Sequence, residues 1–308
     1  MRCIPLREAV PHVRGAKGDQ QTSAHPRRVG LRNYTDRMPE LPEVETVARD
    51  LRPLLVGRSL LSIHRSRKPL RNQWSKKCEP MLLGSRIEAI HRRGKWLLLE
   101  LDRGPFLMVH LGMTGQFTVV LPGTAKEDHT HFVFLLDNRS ELRFRDIRRF
   151  GSITYFADRA GWEGYLADRL GPEPWDLPAQ DWQSVLAKSK RALKAILLDQ
   201  TIIAGVGNIY ADESCFAAGI DPRRTGHSLD AKEGLRLLQS IRVVLNRAIK
   251  YRGSSIRNYV GGSGLRGGFQ NEFAAYGRTG KPCLKCEVPI ECVRLAGRST
   301  HFCPQCQT

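Results

Sequence analysis

Met38-Pro39-Glu40-Leu41-Pro42-Glu43-Val44-Glu45 is the stretch at which this 308-residue chain changes character. The residues before it, 1–37, mix Pro, Gly, Gln and Arg without periodicity and read as a disordered extension or a mis-assigned start. Beyond it, Val44, Val47, Leu51, Leu54 and Leu55 recur at helical spacing, Pro42 suits a first turn and Gly57 a stop. Glu43 and Glu45 near the start agree with the helix dipole. A proline after a possible start methionine has a second meaning. If translation begins at Met38 and the methionine is removed, Pro39 becomes a free secondary amine, a nucleophile that an internal proline amide cannot supply. An α-amino group titrates near ~7.7–8.0 against ~10.4 for lysine, so part of it is uncharged at neutral pH. Glu40 follows directly and can serve as general acid or base. Met38 is therefore expected to be the functional start; processing by a protease, or a chain in which Pro39 stays an inert amide, are the alternatives.

The charge balance narrows the partner. Lys and Arg number 49 against 31 Asp and Glu, a net +18. Residues 1–37 hold eight basic and three acidic residues, which leaves 41 basic and 28 acidic in 38–308, a net +13 carried by the folded body. Such a surface attracts a polyanion: DNA, with RNA or an anionic membrane surface as alternatives. No stretch of about 18 apolar residues is present, which argues against a membrane span. The first 37 residues lack the apolar core of a secretory signal, with an Arg-rich transit peptide as the alternative. A cytoplasmic monomer is expected.

Eight short strands follow the first helix, at 60–64, 86–91, 95–101, 106–111, 116–120, 131–136, 141–145 and 152–156, and suggest an antiparallel sandwich or barrel. Gly171-Pro172-Glu173-Pro174-Trp175 punctuates the chain and is the candidate hinge. Helical periodicity then covers 181–188, 193–199, 208–218 and 230–252, with Leu235, Leu238, Ile241, Leu245 and Ala248 on one face of the last.

Cys283-x-x-Cys286 and Cys303-x-x-Cys306, sixteen residues apart, have the spacing of a four-cysteine structural zinc site. Two disulfides or free thiols are the competing readings. Cys292 and His301 lie between the pairs and are expected to be bystanders, in a hairpin that turns Arg294, Arg298 and His301 toward nucleic acid.

The opening run, Arg92-Arg93-Gly94-Lys95-Trp96-Leu97-Leu98, His110-Leu111-Gly112-Met113-Thr114-Gly115, Asp146-Ile147-Arg148-Arg149-Phe150-Gly151 and the ten residues Ala204–Glu213 together resemble the formamidopyrimidine-DNA glycosylases, from Met38 to the end. The resemblance implies an α+β multidomain fold: an N-terminal antiparallel β-sandwich with a flanking helix (38–170), a hinge (171–180), a helix–two-turns–helix domain with a lesion-capping loop (181–276) and a zinc finger (277–308). It implies a bifunctional glycosylase and abasic-site lyase acting on 8-oxoguanine and formamidopyrimidines in double-stranded DNA, with one structural Zn2+. Pro39 would be the nucleophile and Glu40 the acid/base, Lys95 would contact the lesion phosphates and assist elimination, and Arg298 would reach the same phosphates. Met113 and Phe150 would fill the gap left by a flipped nucleotide and Arg148 would pair with the orphaned base. His129, Asn208, Lys190 and Lys194 would contact phosphates, Asn208 at a glycine turn where backbone amides approach an anion. Ile147 stands in place of the family's proline, and Asn258 and Ser263 stand where aspartates are expected. An endonuclease VIII-like glycosylase for oxidised pyrimidines and a non-catalytic zinc-finger protein for damaged DNA are the rivals.

Overall fold

The computed structural model describes residues 38–254 and 265–308. The N-terminal extension and the part of the capping loop that holds Asn258 and Ser263 lie outside the described residues.

Helix α1 (Leu41–Leu55) begins where the Glu43 side chain reaches back to accept the backbone N–H of Glu40, Oε2 to N 3.0 Å. Its apolar stripe of Val44, Val47, Leu51 and Leu55 faces the sandwich. Strand β1 (Leu60–Arg65) and a short helix α2 (Glu79–Leu82) lead into β2 (Ile87–Arg93), β3 (Trp96–Leu101), β4 (Phe106–His110), β5 (Gly115–Val120), β6 (Thr130–Leu136), β7 (Glu141–Asp146) and β8 (Ser152–Phe156). Two antiparallel sheets result, ordered β1-β6-β7-β5 and β2-β3-β4-β8. Leu97, Leu99, Leu107 and Val109 from one sheet meet Phe117, Phe134, Leu142 and Phe144 from the other, closing the core as a sandwich. Each such side chain, fully buried, contributes about 1.5–3 kcal/mol.

Both faces of β3 and β4 are apolar because the outer face is covered too. Leu98, Phe106 and Met108 pack on Trp162 and Leu166 of α3 (Arg159–Ala167), a helix absent from the sequence reading.

The helical domain holds α4 (Ala179–Lys188), α5 (Leu193–Leu198), α6 (Asn208–Ala218) and α7 (Ala231–Lys250). On α7 the buried stripe is Leu237, Leu238, Ile241, Val244, Leu245 and Ala248; Leu235, expected in it, sits at its rim. α6 is the central helix, buried along almost its whole length. Leu41, at the first turn of α1, packs into this second core and not the first, so the start of α1 joins the two domains. A hairpin of β9 (Glu291–Leu295) and β10 (Arg298–Phe302) closes the chain, with β10 against α6.

Candidate active site

The Met38–Glu43 segment lies where the two domains meet. Glu40 is buried, and its carboxylate accepts the backbone N–H groups of Ile209 and Tyr210 at 2.9 and 3.3 Å, in the first turn of α6. A helix N terminus leaves such amides unpaired and concentrates positive potential, so an acid fits there. The approach depends on Gly207, where a Cβ would fall 2.3 Å from the Glu40 carboxyl carbon. Glu43 stands behind and accepts the Tyr210 hydroxyl at 2.6 Å and the Ser254 backbone N–H at 2.7 Å. Burial pushes Glu40 up to about 7, against the opposing pull of Lys95, while the Glu43 charge adds to the rise. Burial raises Glu43 as well.

Lys95, in the tight turn between β2 and β3, is only 7% exposed, unlike the solvated lysine usual for a hairpin. Burial lowers its pKa; Glu40 and Glu43 oppose the fall and Arg298 adds to it. Glu40 and Lys95 line one cavity, and a buried acid held near neutrality with a buried lysine held below its usual range is an arrangement able to exchange protons.

Two cavities open on this centre. One, of about 320 Å³, is lined by Met38, Glu40, Lys95, Asn208, Tyr276 and Arg298 among others. The other, of about 590 Å³, is lined by Met38, Arg71, His110, Met113, Phe150 and Arg298 among others. Met38 and Arg298 are common to both. Pro39 is buried beside them.

The larger cavity gathers the residues of two motifs far apart in sequence. Phe150 is 46% exposed, and the Arg148 guanidinium lies over its ring, 4.6 Å from the centroid. Buried Asp146 ties the loops together: it accepts the Thr114 hydroxyl, the Arg148 N–H at 3.2 Å and the Gly151 N–H at 2.8 Å. Gly112, at φ +64°, lies so close that a Cβ would come within 2.5 Å of the Gly151 nitrogen. His110 accepts the Gly112 N–H at Nδ1, 3.0 Å, and burial drives its pKa down to about 4 with help from Lys95 and Arg71. It is neutral at physiological pH and keeps its proton on Nε2. Arg71, His110 and Arg149 were not singled out from sequence. His110 and Arg149 lie inside two of the sequence motifs, whereas Arg71 has no local signal.

The remaining predicted residues divide. His129 is exposed at the end of a loop with φ 65°, and Lys190 is exposed before α5. Asn208 donates its side-chain amide to Ser299 of β10 at 3.3 Å, which puts the Arg298 turn beside the α6 N terminus. Lys194 departs from expectation. It is completely buried, its Nζ 2.5 Å from Asp212 Oδ1 and 2.8 Å from the Asn208 carbonyl, because α5 packs that face against α6. A lysine so placed neutralises an internal acid and is not presented to a phosphate. His301 is corrected in the same way: it is buried against Asp212, Nδ1 to Oδ2 2.9 Å, and does not face outward.

The four thiols of Cys283, Cys286, Cys303 and Cys306 lie within 4.8 Å of one another, with Sγ···Sγ 3.9 Å for Cys283–Cys306 and 3.4 Å for Cys286–Cys303. Tetrahedral zinc with Zn–S near ~2.3 Å wants sulfurs roughly 3.8 Å apart, so the set fits a fully ligated structural Zn2+. Neither Cys292 nor His301 belongs to the cluster. Among the described residues no helix is long and apolar enough to cross a membrane.

A cleft between a sandwich and a helical domain, lined by Arg71, Arg149 and Arg298 and with Glu40 and Lys95 buried at its floor, fits a DNA-repair glycosylase of the two-domain, zinc-finger class. Family comparison agrees along the chain. Residues 38–153 match the formamidopyrimidine-DNA glycosylase N-terminal domain, 170–260 the H2TH domain of the same enzymes, and 280–308 the zinc finger found in FPG and IleRS. The chain belongs to the formamidopyrimidine-DNA glycosylase family, whose members are glycosylases and abasic-site lyases. It is 44% identical over 274 residues to the formamidopyrimidine-DNA glycosylase of Herpetosiphon aurantiacus, covering 88% of this chain and 100% of that protein. To that of Chloroflexus aurantiacus it is 45% identical over 281 residues, covering 88% and 98%. Among solved structures it is similar to a Lactococcus lactis FPG mutant in complex with Fapy-dG containing DNA, with a TM-score of 0.82 and 36% identity over 88% of this chain and all of that one. It is equally similar to the Lactococcus lactis Fpg bound to abasic-site DNA, with a TM-score of 0.82 and 36% identity over 87% and 99% of the two chains.

Proposed function

We propose that this protein removes oxidised purines, 8-oxoguanine and formamidopyrimidines, from double-stranded DNA and then cleaves the strand, with Pro39 as an N-terminal nucleophile. The observation that carries this reading is the place of Met38, which forms part of the wall of both cavities with Pro39 and Glu40 buried directly behind it. Loss of that methionine leaves a secondary amine at the junction of the two. The N-terminal family match starting at residue 38, and the full-length coverage of relatives by 88% of this chain, support Met38 as the functional start.

The chemistry follows from the neighbours. The amine attacks the sugar C1′, the C1′–base bond breaks with its electron pair leaving on the base, and the proton the amine sheds passes to the departing base. Glu40 gives its proton to the ring oxygen as the ring opens, leaving an iminium between Pro39 and C1′. The iminium acidifies the C2′ proton. Its loss expels the 3′ phosphate, and a second elimination expels the 5′ phosphate. Lys95 contacts the lesion phosphates and assists elimination, and Arg298 and Asn208 hold the same phosphates. Met113 and Phe150 fill the vacated stack while Arg148 pairs with the orphaned base. His129 and Lys190 bind phosphates farther out. In this reading 38–170 is the catalytic domain, 171–180 the connection, 181–276 the helix–two-turns–helix domain and 277–308 the finger that a bound Zn2+ holds rigid. The enzyme acts as a monomer in the cytoplasm, on the nucleoid.

The test is borohydride trapping of the Met38-start protein on duplexes bearing 8-oxoguanine or thymine glycol. The expected result is a covalent adduct, stronger on 8-oxoguanine, that disappears in Pro39→Gly and Glu40→Gln. An active protein whose measured mass still includes residues 1–37 refutes the amine chemistry.

A further inference from the structure

The turn that carries Lys95 is gripped from outside its own sheet by one carboxylate. Glu173 Oε1 accepts the backbone N–H of Gly94 at 2.6 Å and Arg93 Nη1 at 3.0 Å, and Oε2 accepts Arg92 Nη1 at 2.8 Å. Arg92 continues to Glu45 on α1, Nε to Oε2 2.9 Å, and Arg93 Nη2 reaches the Gly171 carbonyl at 2.6 Å. The side chains of Glu173 and Arg92 are 12% and 10% exposed, so this is a largely desolvated network in which removal of one partner strands the others.

Glu173 itself is fixed to the helical domain. Gly171 N–H bonds the Gln200 carbonyl at 2.8 Å, Ala204 N–H bonds the Pro172 carbonyl at 2.9 Å, and Arg242 of α7 donates to the Pro174 carbonyl at 2.8 Å. The stretch that punctuates the sequence like a hinge is thus a strap, tied to the helical domain along its length and to the β2–β3 turn by its one acid and the Gly171 carbonyl.

The consequence falls on Lys95. A lysine side chain has four rotatable bonds, and its ammonium is placed accurately only when its backbone origin is immobile. The residue directly before it donates its N–H to Glu173. We infer that Glu173 is a positioning residue: it locks the Arg92-Arg93-Gly94 turn against the helical domain, so that Lys95 enters the cleft beside Glu40 only while the two domains are docked. Glu173 does not line either cavity and acts through the lysine. The inference rests on the proposed part of Lys95 in cleavage.

The experiment is a double-mutant cycle on the Met38-start protein, read as single-turnover cleavage of a duplex with one 8-oxoguanine. Glu173→Gln is expected to slow cleavage about 10–100-fold, the range for displacing a reacting group by an ångström or less. Lys95→Ala is expected to cost at least as much, and adding Glu173→Gln to it less than about twofold more, because the positioned group is already gone. Losses that multiply, or Glu173→Gln at the wild-type rate, overturn the inference while leaving Lys95 in its part. Lys95→Ala at the wild-type rate overturns the reading of the lysine and the strap with it. Should thermal melting show Glu173→Gln unfolded, Arg93→Met, which removes one of the three donors, takes its place in the same cycle and is judged by the same coupling.

Discussion

Glu40 shows how one position is tuned by what surrounds it. Two backbone amides and a nearby lysine favour its charged form, yet complete burial outweighs them and holds the carboxyl up to about 7, well above the usual carboxylate range. A raised carboxyl is protonated below its pKa and loses its proton as pH rises through it. As the acid that assists ring opening it is competent on the acidic side of about 7, while an amine near ~7.7–8.0, lowered by the neighbouring cations, is competent on the alkaline side. Base release in single turnover should therefore follow a bell that peaks between these two values and falls off on both sides. A profile that stays flat from about pH 6.5 to 9 would contradict this assignment. Pro39 and Glu40 stood out in the sequence because they are adjacent. The Glu40–Ile209 contact did not, since it joins residues 169 positions apart.

Elements were legible where the periodicity was strong. All eight strands of the sandwich and the four helices of the second domain fall where alternation and helical spacing put them. Helix α3 escaped because it has only two buried residues, Trp162 and Leu166, and carries Gly161 and Gly164, which weaken any helical signal. Lys194 shows the converse limit: a lysine on a predicted basic helix reads as a phosphate contact until α6 is packed against it. The contact of α5, α6 and β10 is a buried ionic knot of Lys194, Asp212 and His301, with the Asp212 side chain fully buried. Lys194→Met should cost about 3–5 kcal/mol in denaturant unfolding, since it strands a buried carboxylate. Stability left unchanged, with a salt dependence of DNA binding reduced by about one phosphate, would instead mean that Lys194 reaches the backbone.

At the scale of the whole molecule the finger is a buttress for the cleft. Its hairpin presents Arg298 to both cavities, and Ser299 and His301 dock it on α6. A four-thiolate zinc site is folding energy for so small a module. Chelation should therefore abolish DNA binding and strand cleavage together and leave the sandwich folded, with recovery on adding Zn2+. Binding and cleavage that both survive a zinc-free preparation, verified by elemental analysis, would show that the finger does not shape the site.

What the sequence determined by itself was whatever depends on neighbours along the chain: strand and helix periods, two Cys-x-x-Cys pairs, a proline after a methionine, and the glycine turn before Asn208. The tertiary structure alone decided which charges are buried. It put Glu40 on an amide pair of α6, drew Lys95 out of solvent, turned Lys194 and His301 inward to Asp212, and brought Glu173 to the Lys95 turn. The reason is physical: desolvation and pairing across domains set the state of a charged group, and neither leaves a mark on the residues beside it in sequence.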